Sequence, residues 1–466
     1  MSSIRWCICA ALIGMVSNAG IAQQAGPPDA GRPDASNLRV VSEGPKAPLP
    51  PAGQPEQVPQ PLGEPAAPVG MTLAELEEMA IRCNPTVAQA AHRVEAARGR
   101  CVQVGLYPNP VAGYIGSEIG NEGQGGQQGG FVGQEIVTAG KLRLNQNVAM
   151  QEVRQAEWAW QAQRQRVLTD VRRSFYDVLV AQRTMELTEQ LLRIGDEGVR
   201  STETLMKAKE VARADVLQAR IEAETARVLL ERARNRHAGS WRNLAAVAGA
   251  ANMPPSPLAG EAWDGLSVLT WEDTYSRLLA ESPQLASARA GVARAQATVE
   301  REYAQRVPNI DLQTAVQYDN ATNYTWATVQ AGVPMPLFNR NQGNIRRAEA
   351  ELMAAKNEVQ RVELELQQRL AAIFEQYTTA RYQVEKYSRD ILPIAQSSLD
   401  LANKGYRQGE YNYLFLLTSQ RTYFQTNLVY LDALRELRNA STAIEGNLLS
   451  GSLQTAEAPE QGQQLR

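Results

Sequence analysis

The sequence predicts a mixed α/β membrane protein written as two repeats, each carrying a pair of strands and a long helical hairpin. Three observations predict it. Matched positions recur at offsets of 198 to 200 residues, and fixed-period self-similarity is an architectural signal. Short segments alternate apolar and polar residues at the period of a strand. Apolar residues also recur every seven positions over stretches longer than a globular core uses.

Near its N-terminal end the chain carries Arg5, an apolar stretch from Trp6 to Val16, and small residues around Ala19 and Ala22. That order reads as a secretory signal peptide over 1–22. Cys7 and Cys9 leave with it, and no cysteine stands at the cleavage site to carry a lipid. Residues 23–70 hold 12 of the 24 prolines, and proline lacks the N–H that helices and ladders use, so an extended linker is expected there. The first repeat covers 71–265, the second 266–452, and 453–466 is a polar tail.

Each repeat opens on a helix of about 30 residues (~45 Å at ~1.5 Å per residue). Thr72 and Thr270 are its N-caps, with Glu75 and Asp273 three residues on, the spacing of a capping box. Cys83 and Cys101 on the first such helix would be too far apart for a disulfide. Asn84-Pro85 matches Ser282-Pro283, and Pro108-Asn109 matches Pro308-Asn309, where the helices stop. Strands follow: Val111 to Ile119 and Phe131 to Val137 in the first repeat, Ile310 to Tyr318 and Tyr324 to Val333 in the second. Two long helices come next, over about 141–205 and 341–404. The first carries Val171, Val178, Met185, Leu192, Val199 and Met206 as a stripe. The second carries Leu352, Val359, Leu366, Ile373, Ala380, Tyr387, Ile394 and Leu401, with Pro393 expected to kink it. Such helices span ~95–100 Å.

Four strands per chain cannot close a barrel, and their open edges invite pairing. Three chains would supply twelve strands of a length and alternation that suit a membrane barrel. The long helices would then continue the tube. Composition removes other classes. With 47 Lys+Arg against 50 Asp+Glu, no basic surface is available to displace counterions, so no nucleic-acid partner is expected. His92 and His237 lack ligand-spaced partners, no Ser/His/Asp arrangement or carboxylate pair presents itself, and no cofactor is expected. GQEIVTAGKL (133–142) fails the phosphate-loop pattern at Glu135 and Leu142.

The segment MTLAELEEMAIRCNPTVAQAAHRVEAARGRCVQVGLYPNP, with QEIVTAGKLR and VPMPLFNRNQGNIRRAEAE at the starts of the long helices, resembles the TolC-type outer-membrane efflux channels. YRQGEYNYLFLLTSQRTYFQTNLVYLDAL, from Tyr406 to Leu434, is the most specific carrier, and the likeness is to the CzcC-like cation and heavy-metal branch. The resemblance covers about 71–452. It implies a homotrimer with a 12-stranded outer-membrane barrel and a long periplasmic α-helical barrel. It further implies a periplasmic adaptor, an inner-membrane pump of the RND type, and passive conduction of metal cations or small toxic molecules to the exterior. A type I secretion duct and a periplasmic coiled-coil scaffold are the other readings; the scaffold would need no membrane strands.

Candidate site residues follow. Lys207, Lys209, Arg407 and Gly409 fall where the long helices reverse, and the resemblance makes these tips the adaptor-docking points. Lys209 stands where the second repeat has Gly409, so the first tip is expected to turn differently. Glu210 and Glu410, with Asp215 close by, would place a ring of carboxylates at the channel entrance. Such a ring concentrates cations or serves as a charge-latched gate; solvated helix-end charge is the plainer alternative. Tyr324 and Trp326 share a strand face and are candidates for an aromatic girdle at the lipid interface, or for packing against a helix.

Overall fold

A computed structural model describes residues 70–454 apart from 121, 122, 124 and 264. The signal-peptide and linker readings, and nearly all of the tail, lie outside the described residues. Each repeat opens with two helices rather than one: α1 (Leu73–Cys83) and α2 (Pro85–Gln103), then α5 (Trp271–Glu281) and α6 (Pro283–Ala304). The expected 30-residue helix is broken because the residue before each proline is pushed out of the helical region. Asn84 and Ser282 sit in extended backbone at those breaks and cap the second helix with their side chains. The Asn84 amide also donates to the Val247 carbonyl at 2.8 Å. Thr72 and Glu75 make both bonds of a capping box. Asp273 is one methylene shorter, and its carboxylate accepts from the Thr270 hydroxyl at 2.7 Å.

Strands β1 (Val111–Ser117), β2 (Gln127–Ile136), β3 (Ile310–Asp319) and β4 (Tyr324–Gly332) form one antiparallel sheet in chain order. β2 pairs with β3, so the sheet joins the two repeats. Its outer strands β1 and β4 keep open edges. After each hairpin of the sheet run the long helices: α3 (Lys141–Lys207) with α4 (Arg213–Val247) in the first repeat, and α7 (Gln342–Lys386), a π-helical turn (Tyr387–Ile391), α8 (Leu392–Arg407) and α9 (Tyr413–Glu445) in the second. No described helix is long and apolar enough to cross a membrane.

Each repeat has its own apolar core where α1 or α5 lies across the long hairpin. In the first, Leu76, Val167, Val171, Phe175, Trp241 and Leu244 pack together. In the second, Leu278, Leu285, Leu366, Leu370, Tyr377 and Leu437 do so. The buried aromatic tips are satisfied: the Trp241 indole donates to the Met253 carbonyl at 3.0 Å. The Tyr377 hydroxyl donates to the Ser267 carbonyl and accepts from the Leu269 N–H, both at 3.0 Å. Each aromatic thus ties its core to the segment 248–270 that links the repeats.

The predicted kink at Pro393 takes the form of the π-turn, in which the Leu392 N–H bonds to the Tyr387 carbonyl five residues back. Proline removes one bond and its ring crowds the carbonyl four residues earlier; a wider turn makes the room. The extra residue moves the seam. Leu366 and Ala380 are buried as the seven-residue stripe predicts, but Ile394 and Leu401 are 68% and 64% exposed. Ala395 and Ala402, one position later, are buried instead, with Leu399 between them on the same side.

Candidate functional site

The molecule offers three zones that a duct would use: the sheet, the junction where sheet meets helices, and the hairpin tips.

Cross-strand partners share a face of a sheet, so the register sorts the side chains. Val111, Gly133, Gln313 and Gln330 stand in one row, and Ile115, Gly129, Gln317 and Trp326 in another on the same face. Ser117, Gln127, Asp319 and Tyr324 complete it toward the loops. The opposite face carries Tyr114, Val132, Leu312, Val316, Tyr318 and Val329, with Ala112, Ala327 and Ala331. The first face, which also carries Phe131 and Ala315, is therefore rich in amides and carboxylates; the other is mainly apolar, with Gln128, Gln134, Thr314 and Thr325 among its side chains. Tyr324 and Trp326 stand on the polar face; the tyrosines of the apolar face are Tyr114 and Tyr318. Gly129 lies where a Cβ would meet the Val316 carbonyl oxygen at 1.9 Å, so the strands approach there as only glycine allows.

At the junction the two repeats use different chemistry in matched places. In the first, Lys141, 5% exposed, donates to Asn309 Oδ1 at 2.6 Å. Asn309 donates in turn to Glu135 at 2.6 Å, and the Thr138 hydroxyl donates to the Pro308 carbonyl at 2.6 Å. Burial pushes the Lys141 ammonium down from its ordinary value, and nearby Glu135 opposes the shift. In the second, Glu302 is 3% exposed, pairs with Arg301, and accepts from Asn341 Nδ2 at 2.7 Å. Burial alone would push the Glu302 carboxyl up, but the Arg301 guanidinium and the Asn341 amide hold it below the usual carboxylate range. Gly140 and Asn341, the N-caps of the two long helices, both take left-handed backbone, φ 62 and 58. The sequence reading missed Lys141, Glu302 and Asn341; the recurring Pro-Asn pair that contains Asn309 was the available signal.

Both tips turn alike, which corrects the expectation drawn from Lys209. Glu210 N–H bonds to the Leu205 carbonyl and Glu410 N–H to the Gly405 carbonyl, each at 2.9 Å. Lys209 and Gly409 both adopt left-handed backbone, φ 63 and 80. The turn demands that conformation and the lysine accepts its strain. Lys207, Lys209, Glu210, Arg407, Gly409 and Glu410 are all exposed. Asp215 sits in the first turn of α4, and its carboxylate accepts from the Ala212 N–H at 3.0 Å. The structure thus brings Lys207, Lys209 and Glu210 together on one loop, and Arg407, Gly409 and Glu410 on the other. Tyr324 and Trp326 belong to the sheet, at the other end of the long helices. Among the described residues no group of three or more His, Cys, Asp or Glu could hold a metal ion.

A family described as Outer membrane efflux protein matches residues 76–250 and 274–448, one match per repeat. The chain is 26% identical over 378 residues to the cobalt-zinc-cadmium resistance protein CzcC of Cupriavidus metallidurans, covering 80% of this chain and 89% of that protein. Among solved structures, CusC superposes with a TM-score of 0.69 at 19% identity, over 86% of this chain and 99% of that one. The outer membrane protein VceC of Vibrio cholerae gives 0.66 at 18% identity, over 81% and 96%. These superpositions establish a shared fold.

Proposed function

The chain belongs to the outer membrane efflux protein family, and from that premise we propose that its cargo is metal cations, delivered by an RND-type inner-membrane pump through a periplasmic adaptor. It is the outer-membrane channel of a tripartite efflux system and not an enzyme, with its helical part in the periplasm. Channels of this family form trimers. The observation that carries the reading is the four-stranded sheet with one amide-rich face, one mainly apolar face and two open edges. Three such sheets joined edge to edge supply twelve strands, turn the apolar face to lipid and the amide-rich face to a lumen.

On this reading Tyr114 and Tyr318 supply the interfacial girdle, and Tyr324 and Trp326 line the exit. The tips, with Lys207, Lys209, Arg407 and Gly409, meet the adaptor. Glu210 and Glu410 ring the entrance and raise the local concentration of cations; Asp215 starts α4 beside them. The match to CzcC supports metal cations as cargo.

Deletion of the gene in its host is expected to sensitise cells to cobalt, zinc or cadmium, and the intact gene to restore resistance. Sensitivity confined to organic toxicants would contradict the cargo. In planar bilayers, Glu210→Gln with Glu410→Gln is expected to lower cation preference; unchanged selectivity would return both residues to solvated surface charge.

A further inference from the structure

Beside the linker between the repeats, α3 and α9 part to leave a cleft of about 400 Å³, within the ~300–1,000 Å³ of small-molecule sites. Its walls are Arg183, Leu187 and Gln190 from α3, Tyr423, Asn427 and Tyr430 from α9, and Trp263 from the linker. Three amphipathic rings and two side-chain amides therefore converge on one space. Trp263 is 46% exposed, a large apolar area to leave in water.

The polar groups of the cleft are largely unspent. Among the described residues, the Trp263 indole N–H, the Tyr423 and Tyr430 hydroxyls and the Gln190 amide have no hydrogen-bond partner. Asn427 donates to the Tyr423 carbonyl at 2.9 Å, which leaves its Oδ1 to accept. Arg183 is paired with Glu186 at 2.9 Å, so the cleft presents no unpaired charge. Burial raises the Tyr430 hydroxyl above its ordinary value and keeps it a neutral donor.

The ligand that fits is uncharged where it enters, apolar on a flat face and polar at its rim. Sugar rings have that form: their C–H faces lie on aromatic rings and their hydroxyls point outward to donors and acceptors. The two side-chain amides match the paired N–H and C=O of an acetamido group. A charged peptide would leave the paired Arg183 and the neutral rim without purpose, and a wholly apolar molecule would bury unpartnered hydroxyls at a cost. The place also fits. Arg183 to Gln190 lie about 60–75 Å along α3 from its sheet end, at ~1.5 Å per residue, on a wall that stands in the periplasm, where the envelope's glycan mesh runs.

We propose that this cleft is a glycan-binding site that holds acetamido sugars and ties the helical barrel to the polysaccharide it passes through. The inference rests on the periplasmic placement of the helices and not on the cargo.

The test uses the full-length trimer in detergent. Tri-N-acetylchitotriose is titrated while tryptophan emission is followed, and retention on isolated peptidoglycan sacculi is measured by sedimentation. The trisaccharide is expected to shift the emission of the parent protein, and the shift to vanish in Trp263→Phe. Retention is expected to weaken about tenfold in Trp263→Ala and in Asn427→Ala, the scale of an aromatic or amide anchor. Both variants are checked as trimers by size exclusion, and Gln190→Ala, on a different helix, gives an independent reading. Absence of any trisaccharide-dependent shift, or sacculus retention equal in the parent and all three folded variants, would overturn the proposal. Lost adaptor pull-down with unchanged glycan binding would instead assign the cleft to the adaptor and equally overturn it.

Discussion

The two long hairpins span nearly the same length of chain and are built differently. α3 runs unbroken for 67 residues, whereas its counterpart is 45 residues of α7, a five-residue π-turn and 16 residues of α8. At an offset of 200 the proline of the second, Pro393, faces Arg193 of the first. The proline thus marks where an unbroken helix in the first repeat corresponds, in the second, to one whose buried face rotates partway down. A single extra residue turns a helix by about 100° at 3.6 residues per turn. Ala395, Leu399 and Ala402 therefore take the seam, and Ile394 and Leu401 move outward beside Tyr411 and Phe415. What the second hairpin shows its neighbours beyond Tyr387 is set by a local backbone event.

Removing that event is the largest test. Deleting Ser388 takes out the extra residue, so it should restore an unbroken α-helix and leave Leu399 in its contact with Leu416. The same deletion at Thr188 of α3, where no residue is extra, should rotate the helix beyond it by about 100° and cost more, about 2–5 kcal/mol, the scale of emptying a buried core site, read as a fall in the trimer's melting temperature with export lost. Equal losses from the two deletions would show that the π-turn has no bearing on the seam.

The junctions sharpen the comparison by pH. The Glu302 carboxyl is held below its ordinary range in the folded state. Its contribution is therefore present above the unfolded carboxylate pKa and lost as pH falls through the folded value. Lys141 behaves oppositely. Burial lowers its ammonium, so the penalty for folding it charged is full at neutral pH and relieved as pH rises past the lowered value. Glu302→Gln should flatten the acid limb of a stability–pH curve and leave the alkaline limb, and Lys141→Met should do the reverse. Parallel changes on both limbs would mean that the two clasps are not independent.

The tips should give the smallest effects. Lys209 holds a left-handed conformation that glycine adopts freely, so Lys209→Gly should stabilise by roughly 0.5–1 kcal/mol and Gly409→Lys should cost a similar amount. Equal and opposite shifts in urea midpoint would confirm that the loops are the same turn. A destabilised Lys209→Gly would show that the lysine side chain holds the first tip.

Much of this was legible beforehand. The offset, the alternation over Ile310 to Tyr318 and the stripe through Val171 and Val178 report periodicities that burial imposes, and each stands in the fold. The break at Asn84-Pro85 and Ser282-Pro283 was written in the prolines, yet the surrounding apolar pattern continues across it and hid the second cap. Strand alternation alone could not tell which face was polar as a sheet: Tyr324 and Trp326 acquire Asp319 and Gln317 as cross-strand neighbours only through the pairing of β4 with β3. The junction clasps join residues as distant as Lys141 and Asn309, and no local period encodes them. The slip after Pro393 was the least readable, because Ile394 and Leu401 continue the seven-residue pattern while the backbone departs from it.

That slip is the claim on which the account of the second hairpin turns, and cross-linking tests it most directly. In a background with Cys83 and Cys101 replaced by serine, Leu416→Cys is combined with Ala402→Cys or with Leu401→Cys, and each trimer is mildly oxidised. Ala402 packs with Leu416 in one cluster, while Leu401 is 64% exposed. The account predicts an intrachain disulfide for the 402–416 pair and none for 401–416. A disulfide at 401–416 with none at 402–416 would contradict it, and would place the second hairpin back in the register of an unbroken helix.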